Sequence, residues 1–553
     1  MPNAEFTVGK FLFECLQKEG ITEIFGVPGD YNFSLLDALE QFPGIRFVNC
    51  SNELNAGYAA DGYTRLNGIG ALITTFGVGE LSACNAIAGA YSESIPVIHI
   101  VGAPKSMVIK EHKKMHHTLL DGDFDVFRKL YENLTAYTAW VTNENAAIEI
   151  PMAISKAKEM KKPVYLVIPI DTVPMKMLTR IFVPEEKKTS PSSLAEALNH
   201  ILPMLSKAQH PVLLSELYVF RYGMEARVEQ LAGQLNIPVA TMMMGKGSYD
   251  ESKSNFIGFY NGNIGSDEVR NIVESSDCVL AIGMVWNDYN TGYFTAALNP
   301  LQVIEIMPDY TKAGNAVFEN IMMVDILNEL LKATAPKNAA IPQIRFPFDT
   351  EAMPSEKPLT AKYYYPRIQK MLCENDIVIA DSGTLSNGMA QVRLKRGVTY
   401  ITQGGWGSIG YAVPAAFGAA IAAPKRRVLV FTGDGALQLT GQELSSMLKQ
   451  GCKPIIFLLN NEGYTIEKYI NIPIQTNYND IPKWNYSMLL EAFGGNAFVA
   501  RASTEKEFDK AITQAQEQSQ TKLCLIEMIA APMDAPEIVH KIRLHLEELQ
   551  KRK

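Results

Sequence analysis

An α/β chain of three domains, each built on a parallel sheet covered by helices, is the fold class this sequence predicts, and three observations carry that prediction. Short apolar runs such as Val164-Tyr-Leu-Val-Ile168, Arg427-Val-Leu-Val-Phe-Thr432 and Pro454-Ile-Ile-Phe-Leu-Leu459 have the length and unbroken apolar character of strands buried on both faces. Runs of this kind alternate with helical patterns along the chain, as the crossover connections of a parallel sheet require. Two proline-bracketed stretches then interrupt the pattern. One lies around 174–194 and contains Pro184-Glu-Glu-Lys-Lys-Thr-Ser-Pro191; the other, around 335–360, carries Pro336, Pro342, Pro347, Pro354 and Pro358. They divide the chain into domains at 1–180, 190–340 and 355–553. The length of 553 residues allows three or four such units, each with its own core. No sequence repeat relates the outer two.

Composition excludes more than it identifies. Hydrophobic content of 47% and charged content of 20% are ordinary for a globular protein. A net charge of -8, with no basic arm or stripe, argues against nucleic acid as a partner. The seven cysteines form no Cys-x-x-Cys pair and read as small buried hydrophobes in a reducing compartment. Glu5 and Phe6 precede an amphipathic helix in place of a secretory signal, and no apolar stretch reaches membrane-spanning length. A cytoplasmic protein with no membrane partner is expected.

The chemistry concentrates in the last third. Thr432-Gly-Asp-Gly-Ala436 ends one apolar run, and Leu459-Asn-Asn-Glu-Gly463 ends the next. If both runs are parallel strands, both polar clusters sit at strand C-terminal ends, where open α/β sheets bind ligands. Asp434 and Asn461 offer hard oxygen ligands suited to Mg2+, and Gly433, Gly435 and Gly463 let backbone groups come close to a diphosphate. The helices that follow would aim their N-termini at the same anion. A lone Gly-Asp-Gly is usually only a turn; its pairing with the spaced Asn-Asn-Glu-Gly is what favours a diphosphate-and-metal site. Met244-Gly-Lys-Gly-Ser248 fails as a phosphate loop, because Ala240 and Gly247 stand where glycine and a hydroxyl residue are needed. No glycine-rich dinucleotide fingerprint follows Pro211-Val-Leu-Leu-Ser215, which disfavours a flavin.

These motifs resemble those of the thiamine diphosphate enzymes, and the chain is similar to the 2-oxo acid decarboxylases, the pyruvate and indolepyruvate decarboxylase group, over nearly its whole length. Further segments carry the likeness: Phe25-Gly-Val-Pro-Gly-Asp-Tyr31, Asn52-Glu-Leu-Asn-Ala56, Thr74-Thr-Phe-Gly-Val-Gly-Glu-Leu-Ser82, His116-His-Thr-Leu119, Trp406-Gly-Ser-Ile-Gly410 and Leu437-Gln-Leu-Thr-Gly-Gln-Glu443. The resemblance labels the outer domains as pyrimidine-binding and diphosphate-binding, with a Rossmann-like domain between them. It implies thiamine diphosphate and Mg2+ as cofactors and a homo-oligomer, a dimer of dimers, with sites at subunit interfaces.

Residue roles follow from the same resemblance. Glu53 would hydrogen-bond the cofactor pyrimidine, the Gly407 carbonyl would accept from its amino group, and Ile409 would hold the cofactor bent. Asp434, Asn461 and Gly463 would bind the metal. Thr384, Gly435, Ala436, Tyr464, Thr465 and Ile466 would complete the cofactor site. Asp30, His116, His117 and Glu467 match the proton-handling groups. Asp30 and His117 are expected to form a dyad, His116 to hydrogen-bond substrate oxygen, and Glu467, between Ile466 and Ile470, to sit in apolar surroundings that favour a neutral carboxyl. Glu111, His112, Lys113 and Lys114 read as a solvated loop.

Pocket positions carried over from the family are Tyr289, Ser386, Asn387, Ile466, Ile470 and Ile542. Ser386 and Asn387 depart from the pattern, where relatives place a large aromatic; Tyr289 is positioned to refill that volume. Asn471-Ile472 and Tyr218 depart as well. The implied reaction is non-oxidative decarboxylation of a 2-oxo acid to an aldehyde and CO2, with carboligation as a side activity; pyruvate, branched-chain, longer aliphatic and aromatic acids are candidate substrates. An acetolactate synthase-like carboligase is opposed by the histidine pair, and a non-catalytic thiamine-fold protein by the presence of Glu53 and Glu467.

Overall fold

The computed structural model describes residues 6–178, 182–185, 187–337, 341–350, 353–471 and 477–551. Among these, the strands form three sheets drawn from successive stretches of chain. The first contains β1 (Glu23–Gly26), β2 (Arg46–Asn49), β3 (Gly70–Thr75), β4 (Val97–Ala103), β5 (Thr138–Trp140) and β6 (Val164–Pro169), in the order β2-β1-β3-β4-β6-β5, with every pairing parallel. The middle sheet contains β7 (Pro211–Ser215), β8 (Val239–Thr241), β9 (Phe256–Phe259), β10 (Cys278–Ile282), β11 (Val303–Ile306), β12 (Tyr310–Ala313) and β13 (Ala316–Glu319). The last contains β14 (Ile377–Ala380), β15 (Thr399–Ile401), β16 (Val428–Gly433), β17 (Ile455–Asn460), β18 (Phe498–Ala502) and β19 (Cys524–Ile529). Its order, β15-β14-β16-β17-β19-β18, repeats that of the first sheet strand for strand, again all parallel.

The middle sheet is mostly parallel, as expected, with an antiparallel edge that the expectation did not include. Its order is β13-β12-β11-β10-β7-β8-β9, and β11, β12 and β13 pair antiparallel at one edge. The physical reason is connection length: Ala313 pairs with Ala316 across a two-residue turn, Gly314-Asn315, too short for a parallel crossover. Gly314 takes φ +57 there. At the C-terminal ends of β7 and β10, where such a sheet would hold a nucleotide, a Cβ on Gly283 would stand 2.7 Å from the Val219 nitrogen, so the Leu217–Arg221 helix packs closely on Gly283. Lys246 of the false phosphate loop is buried and bonded to both Glu251 carboxylate oxygens at 2.8 and 2.9 Å. Glu251 also accepts the Leu394 amide at 2.8 Å, so the pair fastens the middle lobe to the last one.

The outer lobes meet through two helices. Glu53–Asn67 starts where the Asn52 side chain accepts the Asn55 amide at 2.8 Å and stops at Gly68, whose φ is +87. It crosses Ala412–Ala422 at backbone contact. A Cβ on Gly62 would lie 2.0 Å from the Ala415 carbonyl oxygen, and one on Gly418 would lie 1.8 Å from that of Ala59. Tyr411 bonds Asp61, and Arg65 bonds Asp61 at 2.7 Å, all of them buried. Beyond this crossing Glu93 joins all three lobes: it accepts the Gly405 and Trp406 amides at 2.6 and 3.1 Å, lies 3.5 Å from Arg65, and offers its carbonyl to Arg221 at 2.8 Å. No helix among the described residues is long and apolar enough to cross a membrane.

Because the crossing leaves no room for a methyl group, Gly418→Ala should destabilise the protein by about 1–3 kcal/mol, the usual scale of overpacking. Denaturant unfolding checks this against Gly233→Ala, at a helical position with nothing within 4 Å. An unchanged midpoint for Gly418→Ala would show that the helices separate at little cost.

Candidate active site

In the first sheet the chain leaves β1 for β2 on one side and returns to β3 on the other, so the C-terminal ends of β1 and β3 flank a topological switch point. Asp30 follows β1, and Gly77 follows β3. The His116-His117 loop lies over them. Asp30 Oδ2 accepts from His116 Nε2 at 2.6 Å; with that nitrogen protonated, the neutral ring accepts the Tyr31 hydroxyl at Nδ1, 3.2 Å away. The Tyr31 and His116 rings stack at 4.9 Å. His117, at φ +60, turns its ring edge-on to both, 5.8 Å from Tyr31 and 4.7 Å from His116. The three ligand-type groups of Asp30, His116 and His117 lie within 4.8 Å of one another. The expected Asp30–His117 dyad is therefore corrected to Asp30–His116, and the buried His117 Nδ1 has no hydrogen-bond partner. His117 takes a left-handed backbone and stays near the carboxylate without bonding it. Glu53, half-buried in the first turn of its helix, has its Oε1 3.1 Å from where Gly79 would carry a Cβ.

The second cluster grows from β16 and β17, which pair with Gly433 opposite Leu459 and so bring the two polar motifs side by side. Asp434 is buried. Its Oδ1 accepts the Gly435 amide at 2.8 Å and its Oδ2 the Gly463 amide at 3.2 Å. Burial raises the Asp434 pKa, against the amides of Gly435, Gly463, Glu462 and Asn461 that favour the charged form. Asn461, Ala436 and Thr465 are buried around it, with Tyr464 half-buried against Gly435. Gly433 has nothing within 4 Å of its absent Cβ, and Gly383, at φ +128, has only Ile466 at 3.8 Å: the backbone here is open, as approach by a bulky anion requires. Gly407 is likewise open, at φ +72, and Ile409 beside it is half-buried.

The pocket positions converge. Tyr289, Ile466, Ile470 and Ile542 share one apolar cluster with Met243, Val539 and Tyr293. The Tyr289 hydroxyl stands 3.3 Å from Ser386 Oγ, so the tyrosine does occupy space next to the small residue. Ser386 Oγ and Asn387 Nδ2 both donate to the Gly383 carbonyl, at 3.1 and 2.8 Å, and both residues are buried. Glu467 departs from its expected setting, because it is solvent-exposed in the single chain; its helix, Thr465–Ile470, turns Ile466 and Ile470 into the apolar cluster and Glu467 away from it. Glu111–Lys114 is exposed, as expected of a solvated loop. Tyr218 lines a groove of about 960 Å³ between the first and middle lobes, and Ile472 lies outside the described residues.

Sequence reasoning passed over Asp381. This buried carboxylate, at the end of β14, accepts the Gly410 amide and the Thr432 hydroxyl, each at 3.0 Å, and so stitches the Gly407–Ile409 loop to the strand that carries Asp434. Burial pushes its pKa up to about 7. The run Ile377-Val-Ile-Ala-Asp-Ser-Gly-Thr384, apolar strand then polar turn, was the available signal.

Among the described residues no hydrogen bond or ion pair joins the Asp30, Glu53, His116 and His117 group to the Asp434, Asn461 and Glu467 group. Residues 6–123 match the family model of the thiamine pyrophosphate enzyme N-terminal TPP binding domain, 198–334 that of the central domain, and 381–528 that of the C-terminal TPP binding domain. The chain is 39% identical to the pyruvate decarboxylase of Kluyveromyces lactis over 546 residues, covering 96% of this chain and 97% of that protein. It is 38% identical to pyruvate decarboxylase isozyme 1 of Saccharomyces cerevisiae, covering 97% of each. It is 39% identical to the Candida albicans pyruvate decarboxylase, with 96% and 97% covered. With three matching domains in order and that identity from end to end, the chain belongs to the thiamine diphosphate-dependent 2-oxo acid decarboxylase family.

Proposed function

We propose that the two clusters are the halves of a site that converts a 2-oxo acid to an aldehyde and CO2, each half supplied by a different copy of the chain. The carrying observation is the open glycine backbone at Gly383 and Gly433 beside the buried Asp434 carboxylate. That donor set fits a diphosphate with Mg2+: Asp434, Asn461 and the Gly463 carbonyl are hard oxygen donors, while Thr384, Gly435, Ala436, Tyr464, Thr465 and Ile466 surround the space. When bound, thiamine diphosphate supplies the electron sink that no side chain can provide for the pair left by departing CO2. The protein does the rest. Glu53 would hydrogen-bond the cofactor's pyrimidine, the Gly407 carbonyl would accept from its amino group, and Ile409 would support it from beneath. Asp30 orients His116 through Nε2 and Tyr31 holds its Nδ1, leaving the His117 ring, whose Nδ1 has no partner, to bind substrate oxygen or move a proton. Glu467 delivers a proton as the aldehyde forms, once a neighbouring copy covers it and excludes water.

Exposed apolar groups beside both clusters supply the argument for that second copy. Val78, Leu119 and Leu120 flank the histidine group, and Trp406 and Leu439 flank the diphosphate group; all are at least 40% exposed. A homodimer buries them, and a dimer of dimers is its natural extension. We place the domain limits near 180–190 and 340–355 and the protein in the cytoplasm. Carboligation is a side activity, and the apolar cluster around Ile466, Ile470 and Ile542 suits side chains longer than that of pyruvate.

Three outcomes are expected. Asp434→Ala should lose thiamine diphosphate on gel filtration and lose CO2 release with it; full retention would refute the metal assignment. Across a panel of 2-oxo acids the wild type should release CO2, and Tyr289→Ala should raise the specificity constant for 2-oxohexanoate relative to pyruvate by about tenfold, the scale of a methylene or two of pocket volume. An unchanged ratio would remove Tyr289 from the pocket. Glu53→Gln and Glu467→Gln proteins, each inactive alone, should regain activity when unfolded and refolded as a mixture; a fully active monomer in light scattering would refute shared sites.

A further inference from the structure

The turn Gly77-Val78-Gly79-Glu80 forms a floor beneath two groups of the site. A Cβ on Gly77 would stand 1.8 Å from the His117 carbonyl oxygen, and one on Gly79 would stand 3.1 Å from Glu53 Oε1. Both glycines thus allow close approach, and this turn packs against His117 and Glu53 at once. Gly77 has φ +63 and ψ −91, a conformation that needs a fastening. Glu80 provides it. The residue is wholly buried, its Oε1 accepts the Gly77 amide at 2.6 Å, and its Oε2 accepts the Tyr165 hydroxyl. The Tyr131 hydroxyl donates to the Glu80 carbonyl at 2.5 Å, and the Tyr131 and Tyr165 rings stack at 4.4 Å. His99 closes the cluster edge-on to both rings, with its Nε2 2.9 Å from Thr74 Oγ1 on the strand that leads into the turn.

We propose that Glu80 is a positioning residue for the decarboxylation, capping Gly77 so that the turn holds His117 and Glu53 in place together. This rests on the reading of those two residues given above. None of the roles assigned to the site uses Glu80, yet a carboxyl is buried here without a cation. The titratable groups that face it are Tyr165 on β6, Tyr131 on the Val126–Tyr131 helix and Cys84 on its own helix, with His99 behind the rings and Arg128 acting only on Tyr165. Burial pushes Glu80 up to about 7, against hydrogen bonds from Tyr165 and Gly77. The folded value lies above the ordinary 4.5, so between these values the folded protein holds a proton that the unfolded chain has released, and stability falls as pH rises through that window.

The test compares wild type, Glu80→Gln and Glu80→Met as holoenzymes at saturating thiamine diphosphate and Mg2+, with bound cofactor quantified. Methionine fills the volume but cannot accept from Gly77; it should lower kcat by about tenfold or more while substrate KM moves less than about threefold, the signature of lost positioning. Glutamine keeps the acceptor and should restore kcat to within about threefold of wild type. It also cannot ionise, so its Tm relative to wild type should rise as pH goes from about 5 to about 8, a readout independent of turnover. Wild-type kcat in the methionine variant, a glutamine variant no better than methionine, or a pH-independent Tm difference would each overturn the proposal. Should methionine prevent folding, Gly79→Ala takes its place, crowding Glu53 while leaving the cap intact; wild-type kcat there would also overturn it. A wild type that releases no CO2 overturns this proposal together with the functional reading, whereas an active wild type with unaffected variants overturns this one alone.

Discussion

The contact between the Glu53–Asn67 and Ala412–Ala422 helices governs the rest of the structure. Gly62 meets the Ala415 carbonyl and Gly418 meets that of Ala59, so each glycine touches the residue three before the other. Side chains larger than hydrogen at these two points would push the helices apart. The helix that begins with Glu53 is therefore held rigidly against the last lobe, and Ser51 and Asn55, on either side of Glu53, reach the Glu443 carboxylate at 3.2 and 2.8 Å. The backbone of Glu53 inherits its position from that contact, and the Gly77–Glu80 turn lies against its carboxylate.

The same relation appears at the level of topology. Glu53–Asn67 lies between β2 and β3, and Ala412–Ala422 lies between β15 and β16, their counterparts in an identical strand order. The correspondence extends to the chemistry. Asp30 and Asp381 follow the first strand of their sheets, Glu53 and the Gly407–Ile409 loop follow the second, and Gly77 and Asp434 follow the third. Each sheet thus offers its own switch point, one furnished with histidines and carboxylates, the other with glycines and metal-type oxygen donors.

Much of this was legible in residue patterns, and the failures have physical causes. The strand runs at 427–432 and 454–459 are observed one residue later in the chain, because apolar character marks burial while hydrogen bonding sets the ends. Gly433-Asp434-Gly435 and Asn460-Asn461 come together as their spacing required, since adjacent parallel strands leave them no alternative. The repeat between the outer sheets was invisible: strand order is a property of pairing, and two unlike sequences can satisfy it. Which histidine bonds Asp30 was also beyond the sequence, for adjacent histidines in a loop are distinguished only by the path of the backbone, left-handed here at His117. The antiparallel edge of the middle sheet did have a signal, the Gly314-Asn315 turn, which was overlooked in favour of the general alternation. Glu467 was placed by its apolar neighbours in sequence, but on a helix adjacent residues face different ways.

The reciprocal glycines make the outer lobes resemble the two halves of a homodimer that happen to share one chain. Free partners would have to overcome the entropy of association, with one buried apolar cluster running through both lobes, Phe417 edge-on to Phe25 at 6.1 Å and Tyr411 edge-on to Tyr58 at 5.4 Å, as the means. The segment from Gly68 to Tyr411 removes the requirement. By acting as a tether it fixes a high effective concentration of one lobe near the other, so that the shared apolar cluster closes within one chain without the cost of bringing two molecules together. The middle lobe is fastened to the last one where Glu251, paired with Lys246, accepts the Leu394 amide, so part of the tether is itself anchored.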